Sequence, residues 1–371
     1  MKNGNNKNMK MTNYRKLFVW IFPIFILLVI SILSLYGASF IASAFENHYK
    51  KQIIWIFLSL LIGIIVFFID FNFFKKISPY IYIIGTVSLI LVLIFGKEIN
   101  GARAWFKIGP ITLQPSELFK FFYLIYLAKI CENKKSKSKR LKILTVATVP
   151  MILIFLEPDT GVVLLYIFLT LGVILSTKVI SNKHIIIFTI ISIFLSVSFF
   201  SLYIFQENLF VKIFGTSFFY RIDRLLMFKN SSSYQLENAL IGIGSSGLFG
   251  HGIYSTKIYI PEATTDFIFA LSICNFGLIG GSIIILSYFW IFSNLIKTYL
   301  KTNKLFIKGI IGGTIFMMLV QVFEHIFMNM GLTPITGITL PFLSYGGSSL
   351  ISYVLIFSFI LKITTNNSSY N

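Results

Sequence analysis

Long apolar runs separated by short polar segments dominate the chain, with neither the strict alternation of exposed strands nor the one-sided stripe of a soluble helix. A helix needs about 20 residues to cross the hydrocarbon of a bilayer. Ten runs qualify: Leu17–Ile41, Ile53–Ile69, Tyr80–Phe95, Ser116–Ile130, Ile143–Leu156, Val162–Ser176, Ile185–Phe205, Asp266–Phe292, Ile307–Met330 and Leu350–Leu361. The shorter ones suit a locally thin bilayer or packing among longer neighbours. The fold class is therefore all-α: a polytopic membrane protein of about ten transmembrane helices. Residues 1–371 form a single membrane domain, with tails at 1–16 and 362–371 and one long loop at 206–265.

Lysine and arginine fall on alternate boundaries. Lys2, Lys7, Lys10, Arg15 and Lys16 precede the first run, and Lys75 and Lys76 follow the second. Lys134 to Lys142 follow the fourth, Lys178 and Lys183 the sixth, and Lys297 to Lys308 the eighth. Basic segments stay in the cytoplasm, so both termini are expected there and the 206–265 loop outside, in a cytoplasmic (inner) membrane. The first run is too long for a cleaved signal core and reads as a retained anchor.

Composition agrees: 56% of the 371 residues are hydrophobic and 12% charged, about half the usual share of charge. The net charge of +19 would suggest nucleic acid in a soluble protein, but topology accounts for it here, and no nucleic-acid partner is expected. The two cysteines, Cys131 and Cys274, imply no disulfide framework.

Charges inside apolar runs are expensive and mark function by default. Glu117 and Lys120 share a helix face, either as a pair that locks packing or as polar groups lining a cavity. Asp159, between Pro158 and Thr160-Gly161, either caps the next helix or walls an outward cavity. Asp266 ends the long loop and begins a span. A carboxylate in that setting tends to a raised pKa that suits a general base, although a helix cap fits equally. Glu324-His325 lies within the ninth run with no partner to be named, and a local packing pair is the plainer reading. Gly331 to Ser349 holds much Gly, Pro, Ser and Thr at membrane depth. Such irregular backbone is tolerated only when covered by protein or lining a cavity. The residues alone thus describe an outward cavity with acids, arginines and a Gly-rich floor, for an amphiphilic or anionic substrate.

Four blocks of sequence resemble the SEDS family (shape, elongation, division and sporulation), whose members include FtsW, RodA and SpoVE. They are Gly101-Ala-Arg103-Ala-Trp105 with Gln114-Pro-Ser-Glu117-Leu-Phe-Lys120, then Glu157-Pro-Asp159-Thr-Gly161. The third runs from Tyr234-Gln235 through Gly247-Leu-Phe-Gly250 to Pro261-Glu262 and Thr265-Asp266-Phe267, and the fourth from Pro334 to Ser349. The resemblance spans essentially the whole chain, and Ser255, Lys257 and Tyr259 lean it toward the FtsW-like members. It departs at Ala104, Thr264, Cys274, Asn275 and His325, where the family usually has Arg, His, two acids and Asn.

The resemblance implies a peptidoglycan glycosyltransferase that polymerises lipid II on the outer face of the membrane. Its partner would be a class B penicillin-binding protein, the transpeptidase, within the divisome or elongasome. The implied base is Asp266. The implied substrate contacts are Arg103, Glu117, Lys120, Asp159, Arg221, Arg224, Gln235, Ser344, Gly346 and Gly347. An arginine or a divalent cation, Mg or Mn, would neutralise the departing pyrophosphate. Two other roles fit the same features: a lipid II flippase, or a non-catalytic scaffold that recruits the transpeptidase.

Overall fold

A computed structural model describes residues 2–99, 101–109, 111–132, 139–179, 207–214, 234–254 and 258–365. Its helices are α1 (Lys2–Ala38), α2 (His48–Phe68), α3 (Phe71–Phe95), α4 (Pro115–Glu132), α5 (Lys139–Leu156) and α6 (Thr160–Thr177). After these come α7 (Glu207–Phe214), α8 (Tyr234–Ser245), α9 (Ile268–Lys301), α10 (Leu305–Asn329) and α11 (Gly347–Thr365). Nine of the ten expected spans are helices here; the seventh, 185–205, lies outside the described residues. Among the described residues, seven helical segments are long and apolar enough to cross a membrane by themselves: Lys16–Ala38, Ser43–Phe68, α3, α6, α9, α10 and α11. The apolar run of α5 is shorter, and α4 carries Glu117, Lys120, Lys129 and Glu132. Both are flanked by longer helices, since α4 packs on α3, α6, α10 and α11, and α5 on α3, α4 and α6.

The stretch after α3 is a small antiparallel sheet in the order β1 (Lys97–Ile99), β2 (Ala102–Ile108) and β3 (Ile111–Leu113). Phe106 pairs with Leu113 and Ile108 with Ile111, so the sheet folds back over the start of α4.

The tightest helix pair is α6 against α10. Glycine makes it possible: a methyl group on Gly172 would strike the Gly312 carbonyl, and one on Gly312 would strike Ser176. Lipid gives helices no hydrophobic drive to associate, so close backbone approach supplies the attraction through dispersion. The outward faces of α2 and α3 keep large apolar side chains exposed, among them Phe57, Phe68, Ile84 and Phe95, as lipid contact requires.

Two breaks in helical backbone lie among the spans. α9 is interrupted at Gly277, with φ +67° and ψ −165°. The groups freed there are taken up by the Gly247–Gly252 turn. His251 N donates to the Cys274 carbonyl at 2.8 Å, Gly252 N to that of Asn275 at 3.1 Å, and Leu278 N to that of Gly247 at 3.0 Å. The second break is 330–346, between α10 and α11, where Ile338 and Leu340 to Ser344 are buried. Five of its carbonyls accept side-chain hydrogen bonds from surrounding helices. Ser31 donates to Leu343 O, Gln52 to Ser344 O, Tyr288 to Pro341 O, Gln321 to Thr339 O and His325 to Ile338 O. Unpaired backbone at this depth would cost several kcal/mol per group, so these side chains make the irregular segment admissible.

Candidate active site

The sheet, the starts of α2, α4, α6 and α11, the turn before α9 and the 336–339 segment enclose one cavity of about 460 Å³. All these elements meet at the same end of the bundle. The volume is that of a site for a substrate headgroup.

Asp266 borders the cavity from the turn that opens α9. That turn is fixed by main-chain bonds: Thr265 N, Asp266 N and Phe267 N all donate to the Glu262 carbonyl, at 3.2, 3.1 and 3.1 Å. Glu262 holds a left-handed φ of +53° to present that oxygen. Asn329, at the end of α10, ties the turn down from below. Its Nδ2 donates to the Asp266 carbonyl at 2.9 Å, and its Oδ1 accepts from Ala270 N at 3.0 Å. From the far side, Ser344 Oγ donates to Thr265 O at 2.7 Å and accepts from Leu340 N at 2.8 Å. The carboxyl faces Gly337, where an added Cβ would lie 3.6 Å from Oδ2. Burial, reinforced by the neighbouring Glu262 carboxylate, pushes the Asp266 carboxyl up to about 7. A carboxyl so placed holds or releases a proton near neutral pH, as a general base must.

Asp159 does both things its position allows. Its Oδ1 accepts from Val162 N at 3.0 Å and caps α6, while Oδ2 accepts from Gln114 Nε2 at 2.7 Å. It also borders the cavity, and burial raises its pKa. Glu117 borders the cavity too, and Lys120 lies one turn below it, fully buried, with its Nζ 2.7 Å from Glu117 Oε2 and over the ring of Tyr353. Packing pair and polar wall are therefore one arrangement. Glu157 is fully buried, and burial pushes it up to about 8, so it is mostly neutral at pH 7.

Gly346 and Gly347 line the cavity at the start of α11, and a methyl group on Gly347 would enter the ring of Trp55. Ser344 sits behind the wall rather than on it, holding the Asp266 turn. Arg103 is exposed on β2 and Gln235 half-buried on α8; neither is among the lining residues. Arg221 and Arg224 lie outside the described residues. Glu324, expected to lack a namable partner, accepts from Thr336 Oγ1 at 2.5 Å, and His325 holds Ile338.

Sequence reasoning passed over His48, Trp55 and Tyr345, which also border the cavity. His48 Nδ1 lies 3.0 Å from the hydroxyl of Thr264, the residue standing where the resemblance expects histidine. The one available signal was spacing: His48, Gln52 and Trp55 fall at i, i+4 and i+7 on one helix face, which Ser59 continues.

The model of the cell cycle protein family of FtsW, RodA and SpoVE matches residues 16–369. A Coxiella burnetii protein named as a probable peptidoglycan glycosyltransferase FtsW is 30% identical over 361 residues, covering 91% of this chain and 93% of that protein. The stage V sporulation protein E of Bacillus subtilis is 28% identical, covering 91% and 94%. Among solved structures, the rod shape determining protein RodA of Thermus thermophilus superposes with a TM-score of 0.68 at 25% identity, covering 95% of this chain and 97% of that one. A chain from a peptidoglycan synthase complex that coordinates polymerisation and crosslinking reaches 0.75 at 24% identity, covering 92% and 96%.

Proposed function

Because this chain belongs to the FtsW, RodA and SpoVE family of cell cycle proteins, we propose that it is a peptidoglycan glycosyltransferase that polymerises lipid II into glycan strands on the outer face of the cytoplasmic membrane, with Asp266 as general base. The observation that carries the assignment is the setting of Asp266: a carboxyl that titrates near 7, clamped by its backbone and open to a cavity wide enough for a sugar. The 4-hydroxyl of an acceptor sugar loses its proton to Asp266 as its oxygen attacks the anomeric carbon of the donor. The pyrophosphate then departs with the bonding pair. General-base catalysis supplies about 10² to 10⁴ in rate, and orientation by the rigid walls supplies further acceleration.

No group of three metal-ligating side chains occurs among the described residues, and three of the four acids of the cavity are engaged, Glu117 by Lys120, Asp159 by Gln114 and Val162 N, and Glu262 by Thr265. A divalent cation, Mg or Mn, therefore fits this reading as part of the pyrophosphate-bearing substrate rather than as a resident of a carboxylate cage. A class B penicillin-binding protein is the proposed partner, in keeping with the complex in which a structural neighbour was solved.

The test is purified Asp266→Asn, supplied with lipid II and the partner transpeptidase. Loss of glycan by at least about 10²-fold, with normal folding and insertion, is expected. Normal polymerisation by the variant would remove Asp266 from the mechanism. Absence of glycan from the unaltered protein, with substrate already on the outer side, would instead favour the flippase or scaffold role.

A further inference from the structure

The cavity is unbalanced in charge. Glu117, Asp159, Glu262 and Asp266 all border it, yet among the described residues His48 is the only lining side chain able to carry a positive charge. Lys120 is spent on Glu117 beneath the wall, and Arg103 is exposed outside it. A diphosphate entering among four carboxyl groups needs a cationic or donor-rich corner. That corner is where α2 meets the start of α11.

His48 opens α2 and is held on several sides. Its Nδ1 is 3.0 Å from Thr264 Oγ1, and its ring lies flat on Tyr345, with centroids 4.3 Å apart and planes 4° apart. One turn further, Gln52 donates to Ser344 O and accepts from Gly346 N, so the helix face is stitched to the chain entering α11. Nε2 has no hydrogen-bond partner among the described residues, which leaves it for an occupant of the cavity. Beside it, Gly346, Gly347 and Ser348 bring the N-terminus of α11 to the wall, where first-turn N–H groups lack intrahelical acceptors and favour anions.

We propose that His48 binds the diphosphate of the lipid-linked donor, protonated, with its Nε2–H donating to a phosphate oxygen while Nδ1–H donates to Thr264. The inference deepens the polymerase reading and rests on it. In the reaction, the bond from the anomeric carbon to the phosphate oxygen breaks, and its electron pair leaves with the diphosphate. The acceptor oxygen forms the new bond, and its proton passes to Asp266. His48 keeps its proton and shares it with the departing oxygen as a charge-assisted hydrogen bond. The groups facing the imidazole are the Lys51 ammonium on its own helix, the Glu262 carboxylate from the turn before α9, the Tyr345 ring and the Thr264 hydroxyl; burial and Lys51 oppose the imidazolium and Glu262 favours it, so the charge of the bound diphosphate is what holds the proton.

The full chain in nanodiscs, titrated with geranyl diphosphate, tests this without requiring turnover. Trp55 and Trp105 border the cavity, so their fluorescence reports occupancy. The native chain should bind more tightly at pH 6 than at pH 8.5. His48→Gln, whose amide still reaches Thr264, should bind about tenfold more weakly at pH 6 and lose the pH dependence. His48→Lys should bind well at both pH values, and it serves as the second variant if Gln disturbs folding. In polymerisation, His48→Gln should lower kcat/KM about tenfold or more. Native-like binding by folded His48→Gln, or weak binding by folded His48→Lys, overturns the proposal. Should the native chain bind the diphosphate as stated yet make no glycan, the polymerase reading falls and the diphosphate site stands.

Discussion

Asp266 sets chemistry against stability within one side chain. Its pKa in the fold is raised to about 7 by burial and by Glu262, so ionising it weakens the folded state. The sign follows: the group favours folding fully below about pH 4, and that contribution is lost as pH rises through about 7. The shift of about 3 units corresponds to about 4 kcal/mol at most, and water in the cavity screens it to about 1–2 kcal/mol. Asp266→Asn should therefore unfold at a higher temperature than the native chain at pH 8 and at the same temperature near pH 4, measured by thermal unfolding in detergent. The kcat/KM of the native enzyme should rise about tenfold per pH unit below 7 as Asp266 ionises and fall again at higher pH as His48 loses its proton, a fall that His48→Lys should abolish. Lys120 presents a second conflict. Lys120→Met strands Glu117 in the interior and should cost about 3–5 kcal/mol, and adding Glu117→Gln should recover most of it. At this scale the sequence was informative wherever a charge sat in an apolar run, because such charges need a reason. An imidazole at the start of a helix carries no signal beyond its spacing with Gln52 and Trp55, and what marked His48 out was the fold laying it on Tyr345.

Elements were legible in proportion to their apolar length. The nine helices that coincide with expected spans were read from hydrophobicity alone, with some ends well displaced, α3 beginning at Phe71 rather than Tyr80. α11 begins at Gly347 rather than Leu350, and α9 runs on to Lys301, because local capping and packing set those ends. The sheet after α3 was hidden, since its strands hold three to seven residues and Arg103-Ala-Trp-Phe-Lys107 reads equally well as an interfacial stretch. The irregular 330–346 segment was legible as irregular, but its supports were not. They come from α1, α2, α9 and α10, as much as about 300 residues away in sequence. Contact between α2 and α11 gives the next expected outcome. Gly347→Ala places a methyl group in the ring of Trp55 and should destabilise by about 1–3 kcal/mol, while Trp55→Leu in the same chain should return much of that loss. A double-mutant cycle by thermal unfolding measures the coupling. Additive losses would show that the contact is relieved by movement of α2.

The molecule as a whole is polar in a sense that decides its function. The cavity, the sheet and both irregular turns gather at one end of the bundle. The other end carries Lys75, ion-paired with Glu132, and Lys362, which donates to the carbonyls that end α2. Lys129, Lys301, Lys304 and Lys308 lie at that same end by the course of their helices. Charge bias of this kind predicts that the second end is cytoplasmic and that the cavity opens outward, the side the proposed polymerase reading requires. The native cysteines, Cys131 and Cys274, are buried and should react little with polar maleimides. Ser43, between α1 and α2, and Lys301, at the end of α9, are exposed at opposite ends. In intact cells a membrane-impermeant maleimide should label Ser43→Cys at once and Lys301→Cys only after permeabilisation. The reverse pattern would put Asp266 and His48 on the cytoplasmic side, where no glycan is assembled, and both the base and the diphosphate site would have to be abandoned together.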